Sequence, residues 1–178
     1  MFVLTELKKR PEGITFDRTL ELDQAIKERN PEILDLRNVH VQGSISYDNG
    51  LYLLNYELTY NITMPSSRSM LPVEWAEKQL VSEVFIEEAD VASKKDLVEE
   101  DLVLIVEGGE ISLSESVLDN ILLAIPLSVL TKEELESDEL PSGNNWSVLT
   151  ESQYQALQQE KKEENNPFAS LTGLFDEE

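Results

Sequence analysis

Cysteine is absent from all 178 residues. That excludes a disulfide framework, a thiolate zinc site and a cysteine nucleophile together, and it fits a reducing cytoplasm. Histidine occurs once, as His40. It falls on the polar side of an alternating segment, where it reads as a surface residue rather than a general base. No apolar stretch reaches the roughly 20 residues of a membrane span. Glu6 interrupts the opening Met1-Phe2-Val3-Leu4-Thr5 before a signal-peptide core can form. The expectation is a soluble, cytoplasmic protein that touches no membrane.

Enzyme signatures are missing too. The chain has no Gly-x-Ser-x-Gly elbow, phosphate-binding glycine loop or dinucleotide fingerprint. Gly108-Gly109 is flanked by Glu107 and Glu110, a poor cradle for phosphate. Glu87/Glu88 and Glu99-Glu100-Asp101 could serve Mg²⁺ or acid–base chemistry, but nothing in the sequence brings a second cluster to them. They read as a solvated acidic loop. A non-enzyme without cofactor or metal is expected.

Positive charge is scarce: 14 Lys and Arg stand against 36 Asp and Glu, a net charge of −22. The imbalance is uneven. Residues 1–78 hold nine basic and twelve acidic residues, whereas the rest hold five basic and twenty-four acidic, so the halves carry −3 and −19. Phosphate contacts dominate nucleic-acid affinity, so the second half should repel RNA and DNA and suits a basic protein partner. The plainer reading is that the acid keeps the protein in solution.

What is present is clearest in the middle of the chain. Val39, Val41 and Ile45 alternate with His40, Gln42, Ser44 and Ser46, and Asp48-Asn49-Gly50 supplies a tight hairpin turn. From Leu54 through Tyr56, Leu58, Tyr60 and Ile62 to Met64 the period-two pattern is unbroken. Pro65 ends that strand and opens the loop Ser66-Ser67-Arg68-Ser69-Met70. A return strand is expected over roughly 73–86, a loop over 87–100 and a buried strand at Leu102–Val106. Earlier, Phe2, Leu4 and Leu7 form a strand or helix, Ile14, Phe16, Leu20 and Leu22 mark a strand, and Asp23 caps a short helix ending before Pro31. Later, Ser112 and Glu115 form a capping box ahead of an apolar helical stripe from Leu113 to Ile125, which Pro126 stops.

The fold expected is α+β: an antiparallel sheet built on the 39–64 hairpin and packed by one or two helices. Residues 1–130 form that single domain. Residues 131–178 form an acidic, partly flexible extension, with Leu140 to Asn145 as a loop and 151–164 as a solvated helix. The extension ends in Phe168, Leu171, Leu174 and Phe175, which are spaced for a short docking helix or for a turn capping the chain's own core. Arg68 stands alone between Arg37 and Lys78, displayed at the end of the best strand. Its guanidinium can bind phosphate or carboxylate in bidentate fashion, or pair with a neighbouring acid.

Four motifs in order give the chain a wider context. Val41-Gln42-Gly43, Met64-Pro65-Ser66-Ser67-Arg68-Ser69-Met70, Leu123-Ala124-Ile125-Pro126-Leu127 and Asn166-Pro167-Phe168-Ala169-Ser170-Leu171 resemble the YceD-like family, the large ribosomal RNA subunit accumulation proteins of bacteria and plastids. In that family the loop reads Leu-Pro-Cys-Ser-Arg-Cys-Leu, and many members carry a second cysteine cluster after the helix. Here Ser66 and Ser69 stand in place of both loop cysteines, and serine cannot replace thiolate as a zinc ligand. The resemblance implies a ribosome biogenesis factor for accumulation and maturation of 23S rRNA. Its partner would be a large-subunit ribosomal protein or pre-50S particle, with 23S rRNA a local contact and DNA excluded. Candidate contacts are Arg68, Ser66, Ser69, Arg37 and Phe168. The alternative is an acidic adaptor for a basic protein unrelated to the ribosome.

Overall fold

The computed structural model describes residues 1–100, 102–136, 142–143, 146–148, 154–155 and 158. The chain divides into two units, Met1–Thr131 and Lys132–Glu178. In the first, elements follow as β1 (Phe2–Val3), α1 (Leu4–Leu7), β2 (Ile14–Leu20), α2 (Asp23–Arg29), β3 (Asp35–Asp48), β4 (Leu51–Pro65) and β5 (Pro72–Glu87). A 3₁₀ segment at Glu88–Ser93 leads to α3 (Lys95–Glu99), β6 (Leu104–Val106), β7 (Glu110–Ile111) and α4 (Leu113–Ala124). The second unit contributes α5 (Lys132–Glu136) and the antiparallel pair β8 (Ser142–Gly143) and β9 (Trp146–Ser147). Among the described residues no helix is long and apolar enough to cross a membrane.

The fold is α+β. Five strands lie in the order β2-β3-β4-β5-β6, antiparallel except for the β5–β6 pair, which is parallel. The β3–β4 turn places Asn49 at φ 48° and Gly50 at φ 83°, the positive pair a two-residue hairpin needs. Alternation along β4 then assigns faces. Leu54, Tyr56, Leu58, Tyr60, Ile62 and Met64 are all buried, whereas Asn55, Glu57, Thr59, Asn61 and Thr63 lie on the opposite face. The buried face is completed by Leu4 and Leu7 of α1, Ile26 of α2, and Leu113, Val117, Leu118 and Ile121 of α4. Each fully buried Leu or Ile contributes about 1.5–3 kcal/mol.

Helix ends follow local chemistry. Ser112 caps α4, its hydroxyl accepting the Glu115 N–H at 3.4 Å. Ile125 leaves the helical region at ψ 124°, as a residue before proline must. In the same way Asn30 becomes extended ahead of Pro31 and closes α2.

Three expectations are corrected. Asp23 is the first residue of α2 rather than its cap, which is Leu22. Its carboxylate instead accepts the Leu36 N–H at 3.0 Å and meets Lys27 one turn on, tying α2 to the start of β3. The stretch 87–100 is not a loop. Asp, Glu and Lys give no apolar periodicity, yet acids at the helix starts (Glu88, Asp90, Asp96) suit the helix dipole, and Lys95–Glu99 pair across one turn. Finally, 102–106 is not a buried strand: only Leu104–Val106 are strand and only Val106 is buried. The run lies at the sheet edge, where β6 pairs with β5 alone among the described residues. The sequence readings at Asp101, Leu140–Pro141, Asn144–Asn145, most of 151–164 and the Phe168–Phe175 cluster lie outside the described residues.

Candidate functional site

The β4–β5 loop is built by its serines. Pro65 and Pro72 close the ladder, the Ser66 N–H donates to Leu71 O at 2.8 Å, and the Met70 N–H donates to Ser66 O at 3.1 Å. Ser66 is fully buried, and its hydroxyl accepts from the N–H groups of Arg68 (3.0 Å) and Ser69 (3.3 Å). Its oxygen therefore organises the turn from inside. Ser69 Oγ accepts the Leu71 N–H at 3.4 Å. Met70 takes φ 62°, uncommon for a residue with a side chain.

Ser67 anchors this turn to the segment after α4. Its N–H donates to Val129 O at 2.7 Å, and its hydroxyl accepts the Val129 N–H at 3.0 Å. The tip that results carries Arg68, Ser69, Met70 and Leu71, all exposed. Of the sequence-based candidates, Arg68 and Ser69 thus reach the surface and Ser66 frames the loop. Arg37 reaches the same end of the sheet, in register with Asn61 on the open face, where its Nε meets the Asp35 carboxylate. Phe168 lies outside the described residues. His40 sits on the surface with Nε2 2.8 Å from an Asp17 carboxylate oxygen.

Sequence reasoning missed a second feature, an acidic cleft of about 180 Å³ between β5–β6 and the start of α4. Five carboxylates line it: Glu83, Glu107, Glu110, Glu115 and Asp119. Ser116 Oγ donates to Glu83 at 2.6 Å, the Asn120 amide donates to it at 2.6 Å, and Tyr56 OH lies 2.8 Å from Ser116 Oγ. Burial pushes the Tyr56 hydroxyl up, so it stays protonated in this network. Arg29 of α2 pairs with Glu115 and, at 2.6 Å, with Asp119. The Glu115/Asp119 spacing on α4 was visible in the sequence; the arrival of Glu83 from 33 residues away was not. Among the described residues no three His, Cys, Asp or Glu side chains are grouped to hold a metal ion. Five carboxylates against the guanidinium of Arg29 leave the cleft negatively charged.

The model of the family described as large ribosomal RNA subunit accumulation protein YceD matches residues 54–175, more than half of the chain. The chain belongs to the YceD family. A relative in Bacillus subtilis (strain 168), named "Uncharacterized protein YlbN", is 27% identical over 152 residues, which cover 84% of this chain and 85% of the relative. No solved structure matches the chain. The YceD match begins within β4, so the serine loop, β5, the acidic cleft and α4 all fall inside it. The family's description supports a ribosome-associated role in the large-subunit RNA pathway. This YceD chain has no cysteine anywhere in its sequence.

Proposed function

We propose that the chain is a non-enzymatic factor that promotes accumulation and maturation of 23S rRNA in the bacterial cytoplasm by holding a basic protein of the large ribosomal subunit. The observation that carries this reading is the YceD family match over residues 54–175. Charge supports the partner class, because the −19 of residues 79–178 attracts a basic protein and repels phosphate. Any RNA contact belongs to the loop end of the sheet, where Arg68 and Arg37 are exposed. Support for a non-enzymatic role comes from His40, which sits at the surface against Asp17, away from the carboxylates of the cleft.

Depletion of the protein is expected to lower mature 23S relative to 16S rRNA; an unchanged ratio overturns the reading. The RNA-contact part predicts that Arg68→Ala reduces crosslinking to 23S rRNA in cells. Crosslinking at the wild-type level would leave only contact through protein. The strongly acidic second half also favours a second reading, an adaptor for a basic protein outside the ribosome. Affinity capture with mass spectrometry separates the two: large-subunit proteins dominate the captured set under the first and are no more abundant than background under the second.

A further inference from the structure

We propose that the free edge of β6 receives an extended segment of the partner protein as an additional strand, with alternate residues of that segment basic and apolar. This rests on the reading that the partner is a basic protein, and it supplies the place and the mode of holding.

β6 is the end strand of the sheet. Among the described residues its one ladder is the parallel pairing of Leu104, Ile105 and Val106 with Phe85, Ile86 and Glu87. Among the described residues, no other hydrogen bond engages its backbone. Natural edge strands are blunted by shortness, lysine, proline or a bulge; β6 is short, at three residues, but 102–106 has no lysine, proline or bulge. It shows instead Leu102, Leu104 and Ile105, which are 55%, 50% and 45% exposed. The opposite edge differs: β2 presents Thr15, Asp17, Arg18 and Thr19 to solvent.

The two sides of β6 differ in chemistry. Toward α4 lies the acidic cleft, where Arg29 offsets Glu115 and Asp119, and Ser116 and Asn120 hold Glu83. Glu107 and Glu110 are exposed there with no ion-pair partner among the described residues. Toward the Glu88–Ser93 segment lies a groove of about 740 Å³, where Val91, Ala92 and Ile105 form the apolar lining beside Glu88, Lys95 and Glu107. A strand laid along the edge turns successive side chains to opposite faces. One set then meets the five carboxylates of the cleft, and the other meets Val91, Ala92 and Ile105 beside Lys95, whose charge disfavours a basic side chain on that side; this is the origin of the basic/apolar alternation. Charge excludes the other occupants. A second copy brings another −22, and RNA brings phosphates, both repelled by these carboxylates.

The test titrates the intact chain with three synthetic octapeptides: alternating Lys-Val, alternating Glu-Val, and Lys and Val in separate blocks. Alternating Lys-Val is expected to bind with an affinity that falls as salt rises, and to slow amide exchange at Leu104–Val106. Ile105→Lys, and Glu107→Lys with Glu110→Lys, should each weaken it about tenfold. Glu74→Lys, at the far end of the sheet, should leave it unchanged. Circular dichroism of each variant establishes that it is folded. Equal binding of the block peptide, protection elsewhere than β6, self-association of the chain in place of uptake, or no binding at all overturns the proposal. The two readings fail separately. A normal 23S-to-16S ratio after depletion, with peptide still seated on β6, sinks the ribosomal role alone. A lowered ratio fully restored by the Ile105→Lys chain sinks the edge alone.

Discussion

Gly43 sits on the core face of β3 between Phe16 of β2 and Tyr56 of β4, whose rings lie 6.4 Å apart. A Cβ at position 43 would stand 2.1 Å from Asn55 O and 2.5 Å from Tyr56 Cβ, with backbone on one side that cannot yield cheaply. Gly43→Ala is therefore expected to destabilise by about 1–3 kcal/mol, read from the urea midpoint. A midpoint equal to wild type would contradict this close approach. Ser66 acts in the opposite way, by what it supplies. Its buried oxygen satisfies two N–H groups of the loop, so Ser66→Ala should cost about 1–3 kcal/mol and raise amide exchange at Arg68 and Ser69. Ser69→Ala removes an exposed hydroxyl and should cost much less, which makes it the internal comparison.

Between elements, the sheet end opposite the serine loop is tied by one carboxylate. Glu87 at the end of β5 lies 2.5 Å from Lys8 Nζ after α1 and accepts the Tyr52 hydroxyl of β4 at 2.5 Å. The hydrogen bond from Lys8, and then that from Tyr52, hold the Glu87 carboxyl below the ordinary glutamate value of 4.5. A depressed carboxyl pKa stabilises the fold fully above the unfolded value, and the contribution disappears as pH falls through the folded one. The loss from this group thus begins below about pH 4.5. Thermal midpoints measured from pH 6 downward should fall less steeply for Glu87→Gln than for wild type in that acidic window. Parallel curves would remove Glu87 as a source of the acid sensitivity.

Over the whole molecule, charge sets the conditions for stability and for binding alike. Several cations are paired, Lys27 with Asp23 and Lys78 with Glu57 among them, yet the acids outnumber the bases by 36 to 14. Net self-repulsion therefore outweighs the attraction of a few exposed pairs, which are worth little individually. Raising ionic strength from about 0.01 to 0.15 M shortens the screening length from about 30 to 8 Å. The thermal midpoint is expected to rise over that range, while binding of a basic partner weakens. A falling midpoint would mean that the ion pairs dominate. The same field that loosens the free chain is the one that draws in a basic segment.

Order along the chain was enough wherever the cause is local. The alternation from Leu54 to Met64 determined β4 and its buried face, because successive side chains of a strand point to opposite sides. Asp48-Asn49-Gly50 determined the hairpin turn, since those residues tolerate positive φ, and Ser112 with Glu115 determined where α4 begins. The serine loop was legible as a loop. Ser66 frames the turn through residues two and three places on, whereas the anchoring by Ser67 depends on Val129, 62 residues on, and has no local signal. The acidic cleft needed Glu83 to meet Asn120 across 37 residues. Leu102 to Val106 shows the limit most plainly. An apolar run predicts a strand, but whether that strand is sealed inside the sheet or left at its edge depends on which neighbours pair with it, and only the tertiary structure decided that.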